Sequence, residues 1–445
     1  MRKTPLKTCQ KTKTVIHSNV TVGENGHLFF AGYDTVELAK EYGTALYLMD
    51  EDRIRERCRL FKTAMRESFG GESGPLFAGK AFCCRDIYRI MAEEGMRIDL
   101  VSPGELHTAH SAGFPMERAY FHGNNKTDAD VAFAIASGVG HFVADNREEL
   151  DAIEREASQK GIRQKILIRV TPGIDPHTHA AITTGMVDSK FGLPIVTGQA
   201  AELVAYALSL PHVELEGFHC HIGSQIFETT PFVDAAKVML TFLAEIRSSL
   251  GFTASTLNLG GGFGVRYVED DPEIDYGMIL STVSSCVREM TDALDLPMPT
   301  VLIEPGRSLV ADAGMTLYSV GSVKTIPGYR SYVSVDGGMP DNPRYALYGS
   351  AYTVVNASRA DAECDLVATI AGRCCESGDI LQENVSLATP TRGDILAVLV
   401  TGAYNYSMAS NYNRIPRPPV LMLTSDGVRI AVRRETYEDL LSLDA

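Results

Sequence analysis

The chain has 445 residues, 45% of them hydrophobic and 22% charged, with a formal net charge of −15. This is ordinary soluble globular composition, and an acidic balance with no basic stripe to offset it argues against nucleic-acid and membrane partners. No apolar run reaches membrane-spanning length, and nine cysteines, an odd and scattered set, fit a reducing cytoplasm better than a disulfide framework.

Taken in chain order, residues 1–14 form a basic tail with no apolar segment behind it, so the expectation is a flexible end rather than a secretory signal. The run 15–44 is β-like in texture. A helix is expected at about 51–69, where Ile54, Cys58, Phe61 and Met65 recur at helical spacing. Eight short β-rich runs then alternate with amphipathic segments: 76–81, 97–102, 119–124, 141–145, 165–170, 214–223, 256–262 and 300–307. That alternation is the pattern of a (β/α)8 TIM-type barrel, expected over 45–310. Beyond it, 311–445 carries strand runs between turn signals and no long helix, which reads as a C-terminal all-β domain joined by the N-terminal strand segment 15–44.

Functional residues of such barrels sit at the C-terminal strand ends. Here those ends are Lys80, Asp99, His122, Asp145, Arg169, His219, His221, Gly260–Gly262, Glu304 and Arg307. "LNLGGGFG", with three consecutive glycines at Gly260–Gly262, lets backbone N–H groups approach an anion closely, and "EPGR" follows the eighth strand, so the two turns together form a candidate phosphate site. Lys80, in the apolar run "LFAGKAF", reads as a buried lysine, which must be paired or covalently used. A phosphate site and such a lysine belong together if the ligand is pyridoxal 5′-phosphate, with Lys80 as its Schiff-base residue and Glu304 at the pyridine nitrogen. A structural salt bridge for Lys80 and a strand-end cap for Glu304 are the plainer alternatives.

In "HCHIGSQ", His219 and His221 share one face of a strand. A metal pair is one reading, but the order of the motifs disfavours it, and no metal is expected. Stacking of a histidine on a cofactor ring, with Ser224 reaching the phosphate, fits better, and a core role remains open for His219. In the β domain, Cys375 is a candidate proton donor beside Glu376. Arg344 and Tyr348 suit a carboxylate.

Together, "FAGKAF", "DLVSPGEL", "FHGNNK", "TTGMVDSKFG", "FHCHIGSQ", "LNLGGGFG", "IEPGRSLV", "VDGGMPDNPRYALY", "CCESGDIL" and "GAYNYSMASNYN" span nearly the whole chain. In these blocks the chain resembles the pyridoxal-phosphate enzymes with an alanine-racemase-like barrel, most closely the diaminopimelate decarboxylases. The resemblance implies a homodimer with active sites at the interface. It implies Lys80 on the cofactor, His221 stacked on its ring and Glu304 at the ring nitrogen. Ser224, Gly261, Gly262, the backbone of Pro305, Gly306 and Arg307, and Tyr404 would secure the phosphate. Arg307, Arg344 and Tyr348 would grip the distal carboxylate, with Tyr404 lining the same substrate pocket. Glu376 would take the distal amine, and Cys375 would act at the reacting carbon. Gly79 stands where a bulkier residue is expected, and Tyr345 where proline commonly follows the arginine.

The implied reaction is decarboxylation of meso-2,6-diaminopimelate to L-lysine, the last step of lysine biosynthesis. A decarboxylase of ornithine, D-lysine or another basic amino acid would share nearly every motif, and a cofactor-binding non-enzyme of the same fold is the third reading. A racemase of this fold would place arginine rather than Glu304 at the pyridine nitrogen.

Overall fold

The computed structural model describes residues 17–174 and 188–445. The basic tail at 1–14 and residues 175–187 lie outside the described residues. The chain divides into two compact units: Arg55–Val265 with Glu273–Leu309, and the chain up to Ile54 with Arg266–Pro272 and Val310–Ala445.

The first unit is a closed parallel barrel. Its strands are β1 (Gly74–Ala78), β2 (Arg97–Leu100), β3 (Ala119–Phe121), β4 (His141–Ala144), β5 (Gln164–Thr171), β6 (Val213–His219), β7 (Thr256–Asn258) and β8 (Thr300–Ile303). Each pairs with the next, and β8 returns to β1 through Leu302↔Gly74 and Ile303↔Pro75. Parallel strands covered on both faces need near-continuous apolar runs, and Leu76, Tyr120, Val143, Leu167 and Leu302 form one buried cluster.

The helices between strands start at local signals. Ser102 caps Pro103–Ser111, Thr127 closes a capping box on Asp128–Ala136, and Asn146 caps Arg147–Lys160. The helix Glu51–Phe69 buries Ile54, Cys58, Phe61 and Met65, as their spacing requires. Most of the expected strand runs reach too far at their C-terminal ends. β7, for instance, stops at Asn258, before the glycines. Those last residues bend away from the ladder to form the barrel rim.

The second unit is built on one mixed sheet. Its order is Ile380–Leu387, Leu366–Ala371, Arg330–Val335, Gly314–Ile326, Leu46–Asp50, Val420–Thr424 and Gly427–Val432, with Ile395–Leu399 also on Gly314–Ile326 and carrying Val354–Asn356. The 13-residue strand Gly314–Ile326 is the hinge of this arrangement: its buried first half pairs with Leu46–Asp50 and Ile395–Leu399, and after a bulge its exposed half pairs with Arg330–Val335. Leu46–Asp50 therefore joins the β unit. The run 15–44 contributes a separate three-stranded sheet, Val20–Val22, Leu28–Phe30 and Tyr33–Asp34.

Candidate active site

The barrel rim carries one group of candidate residues. Lys80 lies in the single turn Gly79–Ala81 that follows β1, and its side chain is exposed. The expectation of a buried lysine is corrected here, because β1 ends at Ala78 and the turn lifts the next residue out of the ladder. Gly79 is explained by packing, since a Cβ there would lie 2.6 Å from the Tyr88 hydroxyl. Among the described residues the buried lysine is Lys126. Its Nζ meets Glu149 Oε1 at 2.7 Å and donates to the carbonyls of Gly123 and Val143, each at 2.9 Å. A buried ammonium with its donors satisfied in this way is structural.

Glu304, just past β8, is buried with three side chains on its carboxylate. Asn258 Nδ2 donates to Oε1 at 2.7 Å, His219 Nε2 lies 3.1 Å from Oε2, and His122 Nε2 lies 3.2 Å from Oε1. Burial alone would raise this carboxyl, but His219 and His122 hold it well below the ordinary carboxylate range. His219 is pushed down to about 4, chiefly by burial, so at neutral pH it is an uncharged donor. These nitrogen and oxygen atoms are close enough to admit a metal ion, yet the Asn258 amide, a donor with no lone pair to offer, occupies one edge of the carboxylate.

His221 meets a different partner from His219. Its Nδ1 accepts from the Gly261 amide at 3.1 Å, which leaves the ring proton on Nε2. Burial, then the charges of Lys80 and Arg169, push its pKa well down, so the ring is neutral. The three rim loops around it are packed backbone to backbone. A Cβ at Gly260 would lie 2.4 Å from the Cys220 carbonyl, at Gly261 2.1 Å from the Glu304 carbonyl, and at Gly262 2.4 Å from the Gly223 carbonyl. Gly260 and Gly262 also hold φ of +70° and +109°, where L side chains are strained. A Cβ at Gly306 would lie 2.9 Å from that of Ala78. Arg307, behind Pro305 and Gly306, donates to Ser224 Oγ at 3.0 Å. The rim thus gathers an amine, a clamped carboxylate, a neutral imidazole and a glycine cradle with a hydroxyl and a guanidinium.

The β unit holds the second group. The guanidinium of buried Arg344 lies between two rings, 5.0 Å from the centre of Tyr348 and 5.2 Å from that of Tyr404. Tyr404 is held at φ +62°. Tyr345 donates to Glu383 at 2.9 Å and ties the short helix Arg344–Tyr348 to Ile380–Leu387, which explains a tyrosine there. Cys375 and Glu376 are exposed. The Cys375 amide donates to Asn413 at 2.8 Å, and Glu376 accepts from Gly378 within its own turn.

Residues the motifs contained but sequence reasoning left without a role complete both groups. In the barrel these are Asn258 and His122. In the β unit, buried Asp379 accepts from Met339 N at 2.6 Å and Cys374 N at 2.7 Å, joining the "VDGGMP" and "CCESGD" turns. Asp341 braces the first turn from within, accepting from Gly338 N and the Tyr318 hydroxyl. The signal for both was an aspartate beside glycines: a Cβ at Gly338 or Gly372 would lie within 2.5 Å of the Asp379 carboxylate.

A barrel with this rim defines the class of pyridoxal-dependent decarboxylases, and residues 51–311 match the family model for the "Pyridoxal-dependent decarboxylase, pyridoxal binding domain". The chain is 47% identical over 428 residues to diaminopimelate decarboxylase of Halalkalibacterium halodurans, covering 96% of this chain and 97% of that one. It is 46% identical to the Bacillus subtilis enzyme of the same name, covering 96% and 98%. The crystal structure of diaminopimelate decarboxylase from M. jannaschii in complex with L-lysine superposes with a TM-score of 0.88 at 33% identity, covering 96% of this chain and 98% of that one. The chain belongs to the diaminopimelate decarboxylase family.

Proposed function

We propose that the protein decarboxylates meso-2,6-diaminopimelate to L-lysine and carbon dioxide with pyridoxal 5′-phosphate. The observation that carries this reading is the ionised Glu304 carboxylate, held by Asn258 and His219 with His122 beside it, in a barrel whose rim also bears Lys80. The residues present fit the cofactor: Lys80 would hold its aldehyde, Glu304 its ring nitrogen, His221 its ring face, and Ser224, Gly261, Gly262 and the Pro305–Arg307 backbone its phosphate, with Tyr404 as a further phosphate ligand. When bound, pyridoxal phosphate supplies an electron sink for the pair left behind as carbon dioxide departs.

The chain's own residues do the rest. Arg307, Arg344 and Tyr348 bind the distal carboxylate, Tyr404 lines the pocket and Glu376 takes the distal amine, so that the carboxylate to be lost is oriented by the far end of the substrate. Cys375 gives a proton to the reacting carbon. The neutral His221 ring adds no charge where the cofactor ring would lie. Exposure of Cys375 and Glu376 supports completion of each site by a second copy, in a homodimer. Eight free cysteines among the described residues support a reducing, cytoplasmic setting.

The test is carbon dioxide release by cofactor-loaded protein offered meso-diaminopimelate, L-lysine, D-lysine and L-ornithine separately. A strong preference for diaminopimelate is expected. A preference for a substrate without a distal carboxylate would overturn the assignment of Arg344 and Tyr348 and favour a basic-amino-acid decarboxylase.

A further inference from the structure

Two buried carboxylates face one another inside the barrel rim with a histidine between them. His122 Nε2 is 3.2 Å from Glu304 Oε1 and 3.7 Å from Asp99 Oδ1. Asp99 and His122 are each 3% exposed, and neither of these two atoms has a well-directed hydrogen bond among the described residues. His219 approaches the other Glu304 oxygen at 3.1 Å, and the two imidazoles cross edge to face with centroids 4.9 Å apart. The carboxylate is therefore bracketed by rings that restrict its rotation.

We propose that His122 and His219 are positioning residues that hold Glu304 as a fixed, ionised carboxylate toward the cofactor's ring nitrogen. The proposal rests on the function proposed above. The two carboxyls are driven in opposite directions: burial, and then the Glu304 charge against the pull of His122, raises Asp99, whereas the histidines lower Glu304. The negative charge of the pair is thereby favoured on Glu304, the carboxyl that the two histidines bracket. The other charged groups facing the cluster are Lys80 and Arg169, with Glu105 and Asp145 beyond His122.

The test uses full-length His219→Leu and His122→Leu against His219→Gln and His122→Gln, in which the amide retains a donor near the Nε2 position. In cofactor-loaded wild type the visible absorption band should hold its position from about pH 6 to 9, because Glu304 stays ionised throughout. In the leucine variants it should titrate inside that window. The rate constant kcat should fall about ten- to a hundredfold, as for other outer partners of a reactive group, with KM changed less than about twofold. The glutamine variants should recover most of both. A band in the leucine variants that matches wild type at every pH, or equal losses in leucine and glutamine variants, overturns the proposal.

Should the leucine variants fail to fold, imidazole nitrogen NMR of the cofactor-free wild type decides. A neutral, Nε2-protonated His219 from about pH 5 to 8 supports the proposal, and a charged one overturns it. A wild type that shows no visible band and no borohydride fixation to Lys80 would instead remove the functional reading itself.

Discussion

Two lysines of the barrel separate cleanly by environment. Lys80 stands exposed on a turn, and Lys126 is buried against Glu149. Lys80→Ala should abolish borohydride-reducible cofactor while leaving the urea midpoint near wild type. Lys126→Met should do the reverse, leaving Glu149 buried and unpaired at a cost of about 3–5 kcal/mol. Covalent labelling and urea unfolding, run on both variants, check the pair. At the distal end, Glu376→Gln should lose most activity on diaminopimelate with cofactor binding unchanged. Equal loss of both would discredit its assignment to the substrate. These candidates were legible in the sequence because lysine, glutamate and cysteine beside glycines are uncommon company in apolar strands. The exposure of Lys80 was not legible, since it depends on β1 ending at Ala78.

At the scale of elements, the rim depends on loops that touch through their backbones. Gly261→Ala would press a methyl group onto the Glu304 carbonyl, 2.1 Å from the new Cβ. Cofactor affinity should fall by at least about tenfold, corresponding to 1.4 kcal/mol of loop displacement, as read by fluorescence titration. In the β unit, Asp379 is the clasp between two turns. Asp379→Ala takes the acceptor from two half-buried amides, a loss of about 1 kcal/mol each. It should loosen the segment bearing Cys375 and Glu376, seen as faster hydrogen exchange at Cys374 and Met339. Strand existence was readable from apolar runs, but strand ends were not, because rim residues continue the same composition after the ladder has stopped. The pairing of Leu46–Asp50 with Gly314–Ile326 was hidden for another reason: sequence carries no sign of which distant strand a short run will join.

For the whole molecule, His219 ties stability to pH. Its pKa is about 4 in the folded chain and near 6.5 unfolded, so between those values the unfolded chain holds the extra proton. Its contribution is fully present above about pH 6.5 and is lost as pH falls toward 4, a change of about 3 kcal/mol. His219→Gln should flatten urea stability across that window relative to wild type. A homodimer with shared sites makes a further prediction: Lys80→Ala and Cys375→Ala, each inactive alone, should regain activity when mixed. Failure to do so, with a dimer shown by sedimentation, would place both residues of each site in one copy.

By itself the sequence determined the class of fold, the motifs that contain both groups, and the family, because periodicity and motif order are local and survive without coordinates. Tertiary structure alone decided which of those residues meet. It set His219 against Glu304 and His221 against Gly261, although the two histidines share a motif and differ by only two positions. It brought Asp99, His122 and Glu304 from three strand ends to one carboxylate pair, and put Arg344 between Tyr348 and Tyr404. The physical reason is that burial and charge act through distances of a few ångströms, and closing the barrel creates such distances between residues up to about two hundred positions apart.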